Sequence, residues 1–242
     1  MQIIITMAGL GSRFRMAGFN LPKYMIETRG KSLFDWALSS LQSFKEDKHY
    51  FIVRSDDDAR EYITQHCTSL GISNFQILEI DCVTSGQAET VLIASDYLNQ
   101  EEEILIYNID TYVEPNLITM SSIRGDGFIP CFGGNGDHWS FVKVDESGKA
   151  VEVREKVRIS DNCTIGAYYF KSFQLYVDLY YKYYIDTKEN LFSERYVAPL
   201  YNQLIDDGGD VHITVIPVEK VHVLGTPEEV DYFTNNYCNG DN

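Results

Sequence analysis

The segment Gln2-Ile3-Ile4-Ile5-Thr6-Met7 runs straight into Ala8-Gly9-Leu10-Gly11-Ser12-Arg13. An apolar, β-branched run reads as a buried strand, and this one stops at two glycines separated by one residue. The bare main-chain amides of such a loop stand at the carboxyl edge of a sheet, where open α/β sheets bind phosphorylated ligands. Arg13, two residues past the second glycine, and Lys23, behind Leu21-Pro22, bring two cations to the same edge. Two other phosphate loops fail on the residues themselves. The dinucleotide fingerprint needs a third glycine where Phe14 stands, and a Walker loop ending at Gly30-Lys31-Ser32 needs glycine where Met25 stands. Taken alone, the glycine pair serves equally well as a tight strand-to-helix turn.

Charge narrows the ligand class. The net charge of −16 argues against nucleic acid, whose binding begins with phosphate neutralisation by Lys and Arg. A polyanionic ligand must therefore be met by a local cationic patch and a divalent metal. No apolar run approaches a membrane span, and Met1-Gln2-Ile3 enters a strand with no basic leader or cleavage site, so a cytoplasmic protein with no membrane partner is expected. The five cysteines (Cys67, Cys82, Cys131, Cys163, Cys238) are scattered and never form a Cys-x-x-Cys pair, which fits reduced, structural thiols. The histidines His49, His66, His138, His212 and His222 show no metal-ligand spacing.

The first half alternates strand and helix. Ser32-Leu33-Phe34-Asp35 resembles a capping box, and Phe34, Ala37, Leu38 and Leu41 follow at helical spacing. Residues 50–53 form a short buried strand, after which Asp56, Asp57 and Asp58 suit the first turn of a helix to about Leu70. Strands over 75–80 and 104–107 bracket a helix over 87–98. That alternation implies βαβ crossovers and a parallel sheet. The second half changes character: residues 139–144 and 151–154 flank a turn and read as a hairpin, followed by a strand over 164–170. Helices over 173–185 and 193–205, a strand over 211–216 and a helix from Pro227 complete the chain, with a frayed polar tail over 236–242. One α/β domain over 1–242 is expected.

Several residues carry chemistry. Asp110 follows the strand 104–107 through Asn108-Ile109, at the same sheet edge as the glycine loop. A carboxylate there suits a hard cation that also touches phosphate oxygens, and it equally suits a turn cap. Within Thr84-Ser85-Gly86-Gln87, the glycine lets a flat base approach the main chain and Gln87 offers a donor and an acceptor, although a simple helix cap fits as well. Glu155-Lys156 follows the outer strand of the hairpin, and such pairs are ordinarily solvated surface. Glu101-Glu102-Glu103 reads as a solvated face.

Together these residues resemble a family. Gly9-Leu10-Gly11-Ser12-Arg13, Pro22-Lys23, Gly86, Asn108-Ile109-Asp110, Glu155-Lys156, Gly166-Ala167-Tyr168-Tyr169-Phe170 and Leu224-Gly225-Thr226-Pro227 occur in the order seen in nucleotidyltransferases of the sugar-1-phosphate pyrophosphorylase type. The likeness spans about residues 2–235 and is nearest the short members found among genes for capsule and other surface polysaccharides. The resemblance implies a doubly wound, Rossmann-like (GT-A-like) α/β fold with a mixed, mostly parallel sheet. It implies a nucleotide-binding half over about 1–112 and a hairpin-containing acceptor-binding half over about 113–235. The substrates implied are a nucleoside triphosphate and a small phosphorylated acceptor, with Mg²⁺ as cofactor. Ala8, Gly9, Leu10, Gly11 and Ser12 would then hold the triphosphate, with Arg13 on its β and γ phosphates and Lys23 beside the α-phosphate. Gly86, Gln87 and Asn108 would contact the nucleotide, Asp110 the metal, and Glu155, Lys156 and Gly166 the acceptor. Arg13, Lys23 and Asp110 are the implied catalytic set.

One departure stands out. The family commonly carries an Asp two residues before the late Gly-Thr as a second metal ligand, and here that residue is Val223. Two other readings compete: a GT-A glycosyltransferase using a nucleotide-sugar, and a non-catalytic nucleotide-binding protein. Asn108 weakens the first, since such enzymes favour Asp-x-Asp at the strand end; Val223 motivates the second. The base, the acceptor and the oligomeric state, a homo-oligomer included, stay open.

Overall fold

A computed structural model describes residues 1–186 and 194–237. β1 (Gln2–Thr6) buries Ile3, Ile4 and Ile5 completely, with Ile3 and Ile5 toward one face and Ile4 toward the other. That is the two-residue period of a strand covered on both sides, and each such isoleucine contributes about 1.5–3 kcal/mol. After the glycine loop come α1 (Ser12–Met16), the ribbon of β2 (Glu27–Thr28) and β3 (Lys31–Ser32), and α2 (Leu33–Ser39). The capping box of α2 is closed in both directions: Asp35 N–H donates to Ser32 Oγ at 3.1 Å and Ser32 N–H to Asp35 Oδ2 at 3.2 Å. β4 (Lys48–Arg54), α3 (Arg60–Leu70), β5 (Phe75–Ile80), α4 (Gln87–Leu92) and β6 (Ile104–Asn108) follow.

β1 pairs in parallel with β4 on one side and β6 on the other, and β4 pairs in parallel with β5. The chain thus winds outward from β1 to β5, then crosses back to lay β6 on the other side of β1. Such a reversal makes the gap beyond the carboxyl ends of β1 and β6 a topological switch point, where open α/β sheets bind ligands. Thr6 and Asn108 are register partners there.

The second half carries β7 (Thr111–Val113), β8 (Gly127–Phe132), the hairpin β9 (Ser140–Val144) and β10 (Ala150–Glu155), β11 (Cys163–Thr164) and β12 (Ala167–Phe170). α5 (Phe173–Tyr180) continues into a π-helical turn over Tyr181–Asp186, then come α6 (Leu200–Asp206), β13 (Val211–Ile216), β14 (Val221–Val223) and α7 (Pro227–Asn236). Among the described residues the mixed sheet runs β10-β9-β11-β8-β12-β6-β1-β4-β5, with β13 parallel on β8. This is the expected α/β architecture, parallel through its first half and antiparallel where β12 meets β6. Phe34, Leu38 and Ile63 cover one face, and Val91, Tyr176 and Tyr201 cover the other. A third cluster of Trp36, Tyr112, Leu224 and Phe233 seats α7 against the β7–β14 ribbon. No helix among the described residues is long and apolar enough to cross a membrane.

Five local expectations are corrected. The three aspartates form a 3₁₀ turn over Ser55–Asp57 with Asp58 at φ +46°, so α3 starts only at Arg60. α4 ends at Leu92 because its hydrogen bonds tighten: Ser95 N–H donates to Leu92 O and Tyr97 N–H to Ala94 O, each three residues back. The strand expected over 164–170 is broken by Gly166 at φ +80°. α6 begins after Pro199, with residues 194–199 non-helical before it, while Ser193 lies outside the described residues. Asn236 closes α7 rather than opening a tail, and residues 238–242 lie outside the description.

Candidate active site

Gly11 turns the first loop. It caps α1 in the left-handed region at φ +60°, which an L side chain rarely adopts. Ala8, Gly9, Leu10 and Ser12 then line a cavity of about 620 Å³, with Lys23, Gly86, Gln87, Asn108 and Asp110 on its other walls. A smaller cavity of about 230 Å³ adjoins it and shares Gln87, Asn108, Asp110 and Tyr196. Glu155, Lys156, Gly166 and Arg13 line this second space. Every expected site residue except Gly11 therefore faces one of two connected cavities at the switch point. Arg13 is the one on the unexpected side, exposed at the border of the smaller cavity rather than inside the larger.

The larger cavity is held together by polar contacts across strand ends. Gln87 Nε2 donates to Asn108 Oδ1 at 2.6 Å and to Thr6 Oγ1 at 3.1 Å, tying the start of α4 to the ends of both β6 and β1. Lys23 Nζ donates to Asp110 Oδ2 at 2.6 Å, with both side chains about a fifth exposed. Gly86 has a steric reason of its own. A Cβ there would stand 2.5 Å from the carbonyl oxygen of Arg195, whose N–H donates to Ser85 O at 2.7 Å and whose carbonyl accepts from Ala88 N–H at 3.0 Å. The glycine lets the segment before α6 cross the loop.

The smaller cavity is lined by the hairpin. Glu155, at the end of β10, is buried and accepts from Ser140 Oγ of β9; burial pushes its carboxyl above the usual range and the Ser140 bond opposes that. Lys156 leaves the strand at φ +56°, which turns its chain back so that Nζ donates to Tyr196 Oη at 2.5 Å and sits 4.7 Å from the ring centre. At Gly166 a Cβ would come within 2.3 Å of Asn108 Nδ2. Gly166→Ala is therefore expected to cost about 2 kcal/mol through backbone strain and displacement of Asn108. Urea unfolding measures this, and a loss below about 0.5 kcal/mol would show that the bend has no need of glycine.

Glu229 was missed. In the sequence it is the fourth residue of Thr226-Pro227-Glu228-Glu229, which signals only a helix start. In the structure its N–H donates to Thr226 Oγ1 at 3.2 Å, and its side chain lines the same small cavity as Asp110. A Cβ on Gly225 would stand 3.2 Å from Asp110 Oδ2 and 3.5 Å from Glu229 Oε2. Burial raises the Glu229 carboxyl above the usual range, and the Asp110 charge adds to it. Among the described residues no group of three or more His, Cys, Asp or Glu forms a metal cage. A pair of carboxylates beside an open glycine fits Mg²⁺, which typically takes one or two carboxylates and completes its shell with phosphate oxygens and water. Tyr196, in the segment before α6, lines both cavities.

Comparison with known proteins decides the family. No family model matches the chain and no curated protein matches it. A solved structure described as the nucleoside-diphosphate-sugar pyrophosphorylase from Vibrio cholerae RC9 superposes with a TM-score of 0.89 at 34% identity, covering 98% of this chain and 100% of that one. The chain belongs to the sugar-nucleotide pyrophosphorylase family of nucleotidyltransferases. Two more distant structures share its fold at 14% identity: the inositol-1-phosphate CTP transferase from T. maritima, with a TM-score of 0.74 over 98% of both chains, and a candidate glucose-1-phosphate thymidylyltransferase from Bacillus anthracis, with a TM-score of 0.79 over 100% of this chain and 98% of that one. In this member of the pyrophosphorylase family, Val223 of β14 lines the smaller cavity with an apolar side chain.

Proposed function

We propose that this pyrophosphorylase-family enzyme moves a nucleoside monophosphate from an NTP to a small phosphorylated acceptor, a sugar-1-phosphate or similar, and releases pyrophosphate. Its product would be an activated precursor for capsule or surface polysaccharide, made in the cytoplasm. The observation that carries this reading is the pair of adjoining cavities sharing Asp110, Asn108 and Gln87 at the switch point. One suits a nucleotide, the other a compact phosphate.

An acceptor phosphate oxygen attacks the α-phosphorus in line. The bond from that phosphorus to the oxygen bridging the α and β phosphates breaks, and the electron pair leaves with pyrophosphate. Such a transfer depends on positioning and charge neutralisation, with no covalent nucleophile. Main-chain amides of Ala8 to Ser12 hold the triphosphate, and Gly86, Gln87 and Asn108 hold the nucleoside side. Asp110 holds Mg²⁺, which when bound supplies positive charge to the phosphate oxygens. Lys23 bonds Asp110 in the free site and is the ammonium that would turn to the α-phosphate. Arg13 stands at the mouth, where a guanidinium grips two phosphate oxygens at once. Glu155, Lys156 and Gly166 shape the acceptor end.

The test is a screen of the four NTPs against a panel of phosphorylated acceptors for pyrophosphate release. Release of a nucleoside diphosphate from a nucleotide-sugar would instead identify a glycosyltransferase, and tight binding without turnover a sensor. Within the active pair, Lys156→Ala is expected to raise the acceptor KM about ten- to hundredfold, the typical worth of a charge-assisted hydrogen bond, with NTP KM little changed. Weakened NTP binding with an unchanged acceptor KM would overturn the division into two halves.

A further inference from the structure

We propose that Glu229 supplies the second carboxylate for the divalent cation of this site, the role that Val223 has no oxygen to fill. The inference rests on the nucleotidyl-transfer reading above and deepens it. Val223 is apolar, and it faces the same small cavity as Glu229 and Gly225. The late Leu224-Gly225-Thr226-Pro227 turn passes directly from β14 into α7, so the third residue of α7 projects back over Gly225 toward Asp110. Asp110 Oδ2 and Glu229 Oε2, from different elements, lie 3.2 and 3.5 Å from where a Cβ on Gly225 would stand, so the two carboxylates flank this glycine and an alanine there would crowd Asp110.

Charge bookkeeping leads the same way. Two carboxylates share this partly buried corner, and the cation seen with them is Lys23, 2.6 Å from Asp110 Oδ2. The proposed transfer sends Lys23 to the α-phosphate, which leaves Asp110 without its ammonium beside Glu229, whose own carboxylate accepts from Thr226 and the Gly225 N–H. Like charges brought together out of water are unfavourable unless a cation joins them. A hard divalent cation with oxygen ligands is the species whose chemistry answers that arrangement.

The Glu229 carboxylate also takes part in the cap, accepting from Thr226 and from main-chain N–H groups, and that part of its role does not need a charge. Thr226 Oγ1 accepts from the Glu229 N–H, and a glutamine at the third helical position serves a capping box as well as glutamate does. Glu229→Gln therefore keeps the shape and the cap while removing the charge. The probe is Mn²⁺, titrated alone and with inorganic pyrophosphate, with free ion followed by electron paramagnetic resonance. Asp110→Asn is run beside Glu229→Gln, and metal-free unfolding midpoints are recorded for both.

Glu229→Gln is expected to weaken Mn²⁺ binding about tenfold or more, with a metal-free midpoint equal to or above the parent's because a like-charge contact is gone. If Asp110→Asn weakens Mn²⁺ and Glu229→Gln does not, Glu229 is only a cap and the transfer reading stands. If neither variant changes Mn²⁺ binding, the cation lies elsewhere and the assignment of Asp110 falls with this one. A Glu229→Gln variant that loses Mn²⁺ only in step with a lowered metal-free midpoint also overturns the proposal.

Discussion

Asp110→Asn is expected to lower kcat/KM by at least about a thousandfold while leaving the unfolding midpoint nearly unchanged. The catalytic loss follows from charge. A metal held at phosphate oxygens contributes several kcal/mol of transition-state stabilisation, and each 1.36 kcal/mol is a factor of ten in rate. Asparagine keeps the shape of the side chain and still accepts from Lys23 Nζ, now 2.6 Å from Asp110 Oδ2, but it no longer carries the charge that holds a divalent cation. The structural cost is small because the pair is partly solvated, and such ion pairs contribute about 0–1 kcal/mol. Pyrophosphate release and a thermal melt on the same preparation make the comparison. Near-parental, Mg²⁺-dependent activity would show that the cation lies elsewhere and that Asp110 caps a turn.

Lys23→Ala is expected to reduce kcat about 10²–10³-fold, the usual effect of removing a group aimed at charge that develops in the transition state. Its position makes a second outcome possible, because the same ammonium bonds the proposed metal carboxylate. The two roles separate on a magnesium titration. If Lys23 serves the α-phosphate, kcat stays low at saturating Mg²⁺, and the half-saturating Mg²⁺ concentration is unchanged or lower because a competing cation has gone. If excess Mg²⁺ restores the parental rate, Lys23 acts only through Asp110, and the charge on the α-phosphate must be met by another group.

Some of these groups were visible in the sequence and some were not. Ile3-Ile4-Ile5 before two glycines marks a buried strand and a turn because strand preference and left-handed backbone are properties of adjacent residues. Ser32 and Asp35 close their capping box within one turn, so that helix start was legible as well. β8 was not foreseen. It lies inside the sheet between β13 and the β11–β12 strand, yet contains Pro130, which has no N–H to give a ladder and argues against a central strand. The Pro130 carbonyl still accepts from Ile165 N–H at 3.2 Å, so the strand is tolerated where neighbouring residues carry the pairing.

The site divides along the same line. Gly9, Gly11, Arg13, Lys23 and Asp110 were named from the sequence because each belongs to a short run whose local geometry limits what it can do. Gly86 was found for one reason and is required for another: the main chain of Arg195, more than a hundred residues later, crosses where its Cβ would be. Glu229 carried only the signal of a helix start. Its side chain lines the same small cavity as Asp110 because β14 pairs with β7 and the turn at Gly225 then brings α7 back to the strand end. By itself the sequence determined the strand and helix alternation of the first half, the glycine turn after β1 and the family pattern, since backbone preference and apolar period act between neighbours, while the bounds of α3 and α4 were set by local backbone geometry. Only the tertiary structure decided which carboxylates line one cavity, because that depends on strand order and crossovers, to which no single segment contributes a signal of its own.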